Sequence, residues 1–453
     1  MKNQYKDIYL NLLKPNNVNH EYLSWFKDKE IKKYITKNKY VDLQSLKNYV
    51  KENISKKNCF FFGIFYKKNN KHIGNIKFDN VNKKNCKADL GILIGNKDYR
   101  HQGYASQAIK IGTGLLFKKL GIKYFYLGVN KNNISAINVY KNSGFRVINE
   151  KLEKITMKKD MNLMNLSSFS LGSAQFGMPY GINNKTKKKV PIKEIVKIIS
   201  LADKSGFRNI DTAVLYGKAE KTLGKIGVKN FKITSKLPYI SSLEIKNIEK
   251  IIQRSLKNLR IKSLYSLLIH DSKNINKNFS KLVLILKKFK SKGLIKNLGV
   301  SISNFEDLKK VLKNKNIDII QVPYNMMDQR INERRLINTI KKNNVKIHIR
   351  SIFLQGLLFK KYQEIKKIFP KNINYDKKFS KILKLKNIEK LRLFVNFVYL
   401  NKMSNQIILG IDSCRQLQKI VRIKRLKKIN FPKIPLNFQK KNENLINPHN
   451  WQY

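Results

Sequence analysis

Two α/β parts in succession are predicted, a mixed sheet with helices followed by a (β/α)₈ TIM barrel. Three observations lead there. Strand-like runs begin near Ser170, Asn209, Phe231, Leu264, Asn297, Ile317, Lys346 and Gln406, and amphipathic segments such as Ile192–Ala202, Ile245–Leu259, Phe279–Lys290 and Phe305–Leu312 lie between them. Eight strands alternating with helices over roughly 280 residues is the repeat of a parallel barrel. An open doubly wound sheet would alternate similarly, but no G-x-G-x-x-G follows the first run. Finally, 453 residues with 42% hydrophobic and 10% aromatic side chains are ample for more than one core.

The first part reads less regularly. Phe60–Tyr66 is a strand-like apolar run, Lys67–Lys71 a turn, and His72–Phe78 a second run. Ala88–Gly95 is a third, followed by a glycine-containing turn and a helical pattern over Tyr104–Leu120. Tyr124–Val129 then reads as a strand and Ile134–Asn142 as a short helix. Lys158–Ser168 lacks periodicity and is expected to be a linker. The expected division is therefore 1–157, a linker over 158–168, a barrel over 169–432 and a tail over 433–453.

Composition narrows the function classes. Lys and Arg number 95 against 29 Asp and Glu, a formal charge of +66. The lysines are spread along the chain (Lys67-Lys68, Lys187-Lys188-Lys189, Lys341-Lys342) and accompany heavy use of Asn and Ile, as A/T-rich codons would produce. No basic arm or aromatic-interleaved patch points to a specific nucleic-acid partner. The three cysteines, Cys59, Cys86 and Cys414, are too few and too scattered for a disulfide scaffold or a cysteine zinc site, so no metal is expected. No apolar run reaches the length of a membrane span, and no signal-peptide core follows Met1. A cytoplasmic enzyme of small molecules is expected.

In the first part, Arg100-x-x-Gly103-x-Ala105 lies between a strand and a helix. Small residues there let the backbone approach a pyrophosphate, whose charge meets unpaired N–H groups and the positive end of the helix dipole. After the next strand comes Asn130-x-x-Asn133-x-Ser135-x-x-Asn138-x-Tyr140, ending in Ser143-Gly144-Phe145. Together these elements resemble the GNAT acyl-CoA-dependent N-acetyltransferase superfamily over about residues 5–157. The opening, with Leu10–Leu13, Trp25, Asp28 and Tyr34, is closest to its ribosomal-protein and sugar-amine branch. The resemblance implies acetyl-CoA as cofactor, with the pyrophosphate held along Arg100, Gln102, Gly103, Tyr104 and Ala105. Asn133, Ser135 and Asn138 would lie near the pantetheine arm. Acetyl transfer needs a base for the ammonium proton and an acid for the thiolate. Asp89 stands where the family often places a carboxylate, and Tyr140 matches the tyrosine often given the acid's role.

In the second part, Asp211, Tyr216, Lys236 and His270 fall at the ends of successive strands, where barrels hold their chemistry. A tyrosine hydroxyl, with a pKa about 10, is a poor acid at neutral pH unless a cation assists it. Lys236 can be that cation, Asp211 can keep it charged, and His270 can hold a carbonyl beside Tyr216. This ordered set resembles the aldo-keto reductase superfamily. The resemblance runs from Leu171-Gly172-Ser173-Ala174-Gln175-Phe176-Gly177 through Gly299-Val300-Ser301 and Gln321-Val322-Pro323-Tyr324-Asn325 to Ile407-Ile408-Leu409-Gly410-Ile411. It implies hydride transfer from NADP, or NAD, with Ser301, Asn304 and Gln321 on the carboxamide. Ser351, Gly410, Ser413, Arg415 and Gln416 complete the implied dinucleotide set. Two departures stand out. Arg350 begins Arg350-Ser351-Ile352-Phe353-Leu354-Gln355-Gly356 where many members have an aromatic residue. Asp412 occupies the region where a basic residue often meets the 2′-phosphate, leaving Arg415 as the candidate.

An acyltransferase joined to a carbonyl reductase suggests two modifications of one small molecule. Amino-deoxy nucleotide sugars for surface polysaccharides carry both groups and are the expected substrate class. The alternatives are that the first half acetylates protein amino termini or is a degenerate binding module, fused to a reductase of small carbonyls.

Overall fold

A computed structural model describes residues 7–34, 42–184, 188–241, 243–369, 382–401, 403–426, 443–448 and 451. The chain divides into two compact units, the first essentially residues 1–167 and the second the remainder.

The first unit is a seven-stranded sheet in the order β1-β2-β3-β4-β5-β7-β6. Its strands are β1 (Ile8–Leu12), β2 (Phe60–Tyr66), β3 (Lys71–Asn82), β4 (Lys87–Ile94), β5 (Tyr124–Asn130), β6 (Arg146–Glu150) and β7 (Lys154–Asp160). All neighbours are antiparallel except β4 and β5. Alternate side chains of a strand face opposite sides, and β2 is apolar on both. Phe62 and Ile64 join the core beneath the helix Tyr104–Leu120, while Phe61 joins Tyr22, Trp25, Leu46 and Val50 on the other face.

The stretch from Lys158 is corrected by the fold. Lys158–Asp160 are the end of β7, paired with β5 from Tyr124↔Asp160 to Asn130↔Lys154. Ile155, Met157 and Lys159 all face inward, so the strand does alternate, but a lysine at one inward position hides the pattern. The Lys158 ammonium covers the Tyr124 ring at 4.3 Å. Lys159 donates to the Thr113 hydroxyl at 2.9 Å.

The second unit is a closed parallel barrel of β8 (Phe169–Gly172), β9 (Asn209–Asp211), β10 (Lys232–Leu237), β11 (Leu264–Ile269), β12 (Ile295–Ser301), β13 (Ile319–Pro323), β14 (Lys346–Arg350) and β15 (Gln406–Gly410). All eight expected strands are present. Closure is made by β15 on β8, from Ile407↔Phe169 to Gly410↔Gly172. The helices Ile192–Ser205, Phe279–Ser291 and Phe305–Leu312 lie where the periodicity puts them. The expected helix Ile245–Leu259 is shorter, with a 3₁₀ turn at Leu243–Asn247 before a helix over Ile248–Leu259. Because every strand runs the same way, all carboxyl ends open at one mouth. Of the expected tail, Glu443–Ile446 is a short helix and Trp451 is buried, its indole donating to Asn444 O and Leu445 O. The tail's other positions lie mostly outside the described residues. No helix among the described residues is long and apolar enough to cross a membrane.

Candidate active sites

The barrel mouth gathers Asp211, Tyr216 and Lys236. Asp211 ends β9 and Lys236 lies on β10, one strand over. Tyr216 sits on the loop after β9, and two glycines fix that loop. A Cβ on Gly177 would lie 1.8 Å from Tyr216 O, and one on Gly217, at φ +54°, would lie 2.7 Å from Gly177 O. Only a glycine pair lets the two loops touch. Lys236 is 1% exposed, and its ammonium donates to Asp211 Oδ1, to Thr212 O at 2.9 Å and to Tyr216 Oη at 3.5 Å. Burial alone would push this lysine down; the charge of Asp211, aided by Tyr216, outweighs it and holds the ammonium above the usual lysine value. His270 follows β11 and meets the Tyr216 ring edge-on, centroids 6.1 Å apart.

Two side chains, His348 and Tyr180, escape a reading of the sequence, as does the bond of Gln321, expected on the carboxamide, to Asp211. Gln321 Nε2 donates to Asp211 Oδ2 at 2.7 Å and its Oε1 accepts from Ser301 at 3.5 Å, so the glutamine clamps the carboxylate. His348, opposite Gln321 in the β13–β14 register, is buried and pushed down to about 3 by burial, with Lys346 and Lys236 adding to the effect, so it stays neutral. Tyr180, from the loop after β8, keeps part of its ring exposed, yet its hydroxyl is pushed up by the burial around it, with Tyr216 adding to the effect. A histidine between Ile347 and Ile349 was the available signal for His348; nothing local marks Tyr180.

In the first unit, β4 and β5 pair only from Lys87↔Tyr124 to Asp89↔Tyr126 and then diverge, β4 staying with β3 and β5 with β7. The facing edges of Gly91–Ile94 and Leu127–Asn130 are left open. Beyond the gap, the helix Tyr104–Leu120 starts with Gly103, at φ +85° and without a capping side chain. Apart from its chain neighbours, no atom of the described residues lies within 4 Å of the place a Gly103 Cβ would take. Arg100 turns its side chain away from the turn's outer face, onto Ile94 O, Gly95 O, Asp28 and Glu30. Gln102 donates to Asp98 O, and the Tyr104 ring packs near Tyr66 and Tyr99. Ala105 follows in the first helical turn.

Asp89 is exposed, at the last paired position before the gap, and accepts from Asn80 Nδ2 at 2.8 Å. Tyr140 lies in the helix Ile134–Asn142, 8% exposed and beside Phe145; burial pushes its hydroxyl up to about 12. Asn133 caps that helix by accepting from Ala136 N, Ser135 is exposed, and Asn138 is half-buried.

Residues 168–434 match the model of the aldo/keto reductase family. The chain belongs to the aldo/keto reductase family. Residues 8–146 match the acetyltransferase (GNAT) domain, so this reductase carries an acetyltransferase domain ahead of its barrel. No curated protein matches the chain. Among solved structures, a putative aldo-keto reductase from Pseudomonas aeruginosa is 20% identical, covering 57% of this chain and 88% of that one, with a TM-score of 0.43. The holo form of an aldo-keto reductase from Bacillus halodurans is 16% identical over 66% and 95%, TM-score 0.45. A spermidine N-acetyltransferase from Vibrio cholerae, in complex with CoA and spermine, is 19% identical over 34% and 95%, TM-score 0.30.

The two families use NAD(P)H and acetyl-CoA, and the residues present fit both. In the reductase mouth, the buried hydroxyls of Ser173 and Thr212, just past β8 and β9, have no partner among the described residues. Asn304 and Ser413 cap the helices Phe305–Leu312 and Cys414–Val421, which begin beyond β12 and β15. Asn304 spends its oxygen on Glu306 N and keeps its amide donors. Ser351, at φ +59°, accepts from Arg350. Gly410 packs against Gln175, Gln416 is bonded to Asp412, and Arg415 is exposed. In the acetyltransferase domain, the open strand edges and the bare helix start suit a pantetheine arm and a pyrophosphate.

Proposed function

We propose that this chain performs two modifications of one small molecule, acetylating an amine and reducing a carbonyl. The substrate class we infer is an amino-deoxy nucleotide sugar destined for surface polysaccharide. Acetyl transfer is assigned to the part of the chain that ends with β7 at Asp160 and reduction to 169–432, with 433–453 as a tail. The cytoplasm, which supplies both cofactors, is the proposed compartment. What supports the pairing is that amine acetylation and carbonyl reduction meet on substrates bearing both groups.

The observation that carries the reductase reading is the Lys236 ammonium held between Asp211 and Tyr216. NAD(P)H, when bound, supplies the hydride to the carbonyl carbon. Tyr216 gives its hydroxyl proton to the carbonyl oxygen, and Lys236 stabilises the phenolate left behind. His270 orients the carbonyl. Ser301, Asn304 and Gln321 hold the carboxamide, Gln321 also fixing Asp211. Ser351, Gly410, Ser413 and Gln416 line the remainder, and Arg415 meets a 2′-phosphate, favouring NADP over NAD.

Acetyl-CoA supplies the acetyl group in the other site. Its pyrophosphate is assigned to the N–H groups of Arg100, Gln102, Gly103, Tyr104 and Ala105, and its arm to Asn133, Ser135 and Asn138. Asp89 takes the proton of the substrate ammonium. Tyr140, protonated well past neutrality, donates to the leaving sulfur.

Fluorescence titration of the full-length protein with NADPH, NADH and acetyl-CoA tests the two-site reading, followed by assay against amino-deoxy nucleotide sugars. Saturable binding of both ligand types, and loss of reduction in Tyr216→Phe with dinucleotide affinity kept, is expected. Binding of only one would end the two-step proposal; equal loss of reduction and binding would make Tyr216 structural.

A further inference from the structure

Arg350 carries a charge at the carboxyl end of the barrel. It ends β14 at the mouth, half-buried, and its guanidinium donates only to neutral oxygens: Ser303 Oγ at 2.9 Å, Ile302 O at 3.0 Å and Ser351 Oγ at 3.1 Å. Among the described residues no carboxylate lies within ion-pair distance of it. The carboxylates whose charge it feels are committed elsewhere, Asp211 to Lys236 and Gln321, and Asp328 to Arg330. Tyr180 and Tyr216 complete its electrostatic surroundings.

With Asp328 and Arg330 cancelling and Asp211 committed to Lys236, Arg350 is left without a counter-charge among the described residues. A half-buried cation without a counter-charge is costly unless an anion arrives. A guanidinium whose Nε–H makes none of these bonds can still take a carboxylate or phosphate oxygen by a charge-assisted hydrogen bond. Such an anion would seat beside Tyr216, where the carbonyl reacts.

We infer that the reductase site selects carbonyl substrates bearing an oxyanion, a carboxylate or a phosphate, which Arg350 holds while Tyr216 protonates the carbonyl oxygen. The inference rests on the reductase reading above and names its substrate chemistry.

Paired substrates of similar shape test it with the full-length protein and NADPH: 4-carboxybenzaldehyde against 4-nitrobenzaldehyde, and glyceraldehyde 3-phosphate against glyceraldehyde. The first pair reads a carboxylate and the second a phosphate. Preference for the anionic member of at least one pair, by about 30-fold in kcat/KM and falling with added salt, is expected for a charge-assisted contact. Arg350→Met should collapse that ratio toward one, and Arg350→Lys should restore part of it. Calorimetry of benzoate and inorganic phosphate with the NADP-loaded protein gives a readout free of turnover, with binding weakened about 30-fold in Arg350→Met. No anion preference in the native protein would overturn the inference. So would an equal loss for both members of a pair with weaker NADPH binding, which would place Arg350 on the cofactor. If no carbonyl is reduced, the reductase reading fails, and calorimetry still decides the anion site. Should Arg350→Met not fold, the native ratios and their salt dependence decide.

Discussion

Replacing Asp211 by asparagine removes one charge from the reductase site and almost nothing of its shape. Lys236 is 1% exposed, and Asp211 is the carboxylate bonded to its ammonium. With burial left unopposed, the lysine should fall below its ordinary value, about 10.4, by up to 3–5 units for a fully enclosed amine. Breaking one side of a buried ion pair costs about 3–5 kcal/mol, and one pKa unit is about 1.4 kcal/mol, so a fall of roughly 2–4 units is consistent. The sign of the pH dependence reverses with it. In the native protein the raised lysine contributes stability that is complete below the unfolded value and lost as pH rises through the folded one. In Asp211→Asn the folded state holds fewer protons than the unfolded between the depressed value and about 10.4, so stability climbs with pH across that window. Urea unfolding at three pH values between 6.5 and 9.5 reads this, alongside the pH profile of carbonyl reduction. Reduction should fall about 10²- to 10³-fold and acquire a limb that declines as Lys236 loses its proton. Stability unchanged to within about 0.5 kcal/mol, with no new limb, would refute the idea that Asp211 keeps the lysine charged.

Other predictions test the acetyltransferase domain. Asp89→Ala should lower acetyl transfer to an amine at least about 10²-fold at neutral pH while leaving acetyl-CoA affinity in place; an unchanged rate removes the base assignment and favours a binding module. Lys159 is pushed down to about 7 by burial, with Lys110 adding to it, so the unfolded chain holds the extra proton between about pH 7 and 10.4. Native stability should therefore rise with pH there, by up to about 1.4 kcal/mol per unit, and Lys159→Met should raise the melting temperature at pH 6.5 and flatten the slope; a lower melting temperature would contradict this. Gly103→Val should weaken acetyl-CoA binding at least about tenfold by calorimetry, since the new side chain enters the space over the bare helix start at a φ valine resists. Undiminished binding would move the pyrophosphate elsewhere.

Much of the fold was legible because two periodicities carry it. The apolar runs of β8–β15 stand out between amphipathic helices, and Asp211, Tyr216, Lys236 and His270 sit at strand ends where the chemistry is expected. The partnerships were not legible. Gln321 reaches Asp211 across 110 positions of sequence, and only closure of the barrel makes them neighbours. Lys159 breaks the alternation of β7 because its long stem lets an amine reach Thr113 inside the core. The parting of β4 from β5 leaves no mark in composition, since both strands keep a partner on the other side.

Closure of the barrel also sets an order of events for the growing chain. The seven-stranded sheet is complete once Asp160 has been made, whereas β8 gains its second neighbour only when Gln406–Gly410 appears. About 250 residues separate the two moments, or roughly 12 to 50 seconds of synthesis. During that interval the first barrel strands have an unpaired edge, the state most exposed to wrong partners. The leading sheet can meanwhile fold on its own contacts.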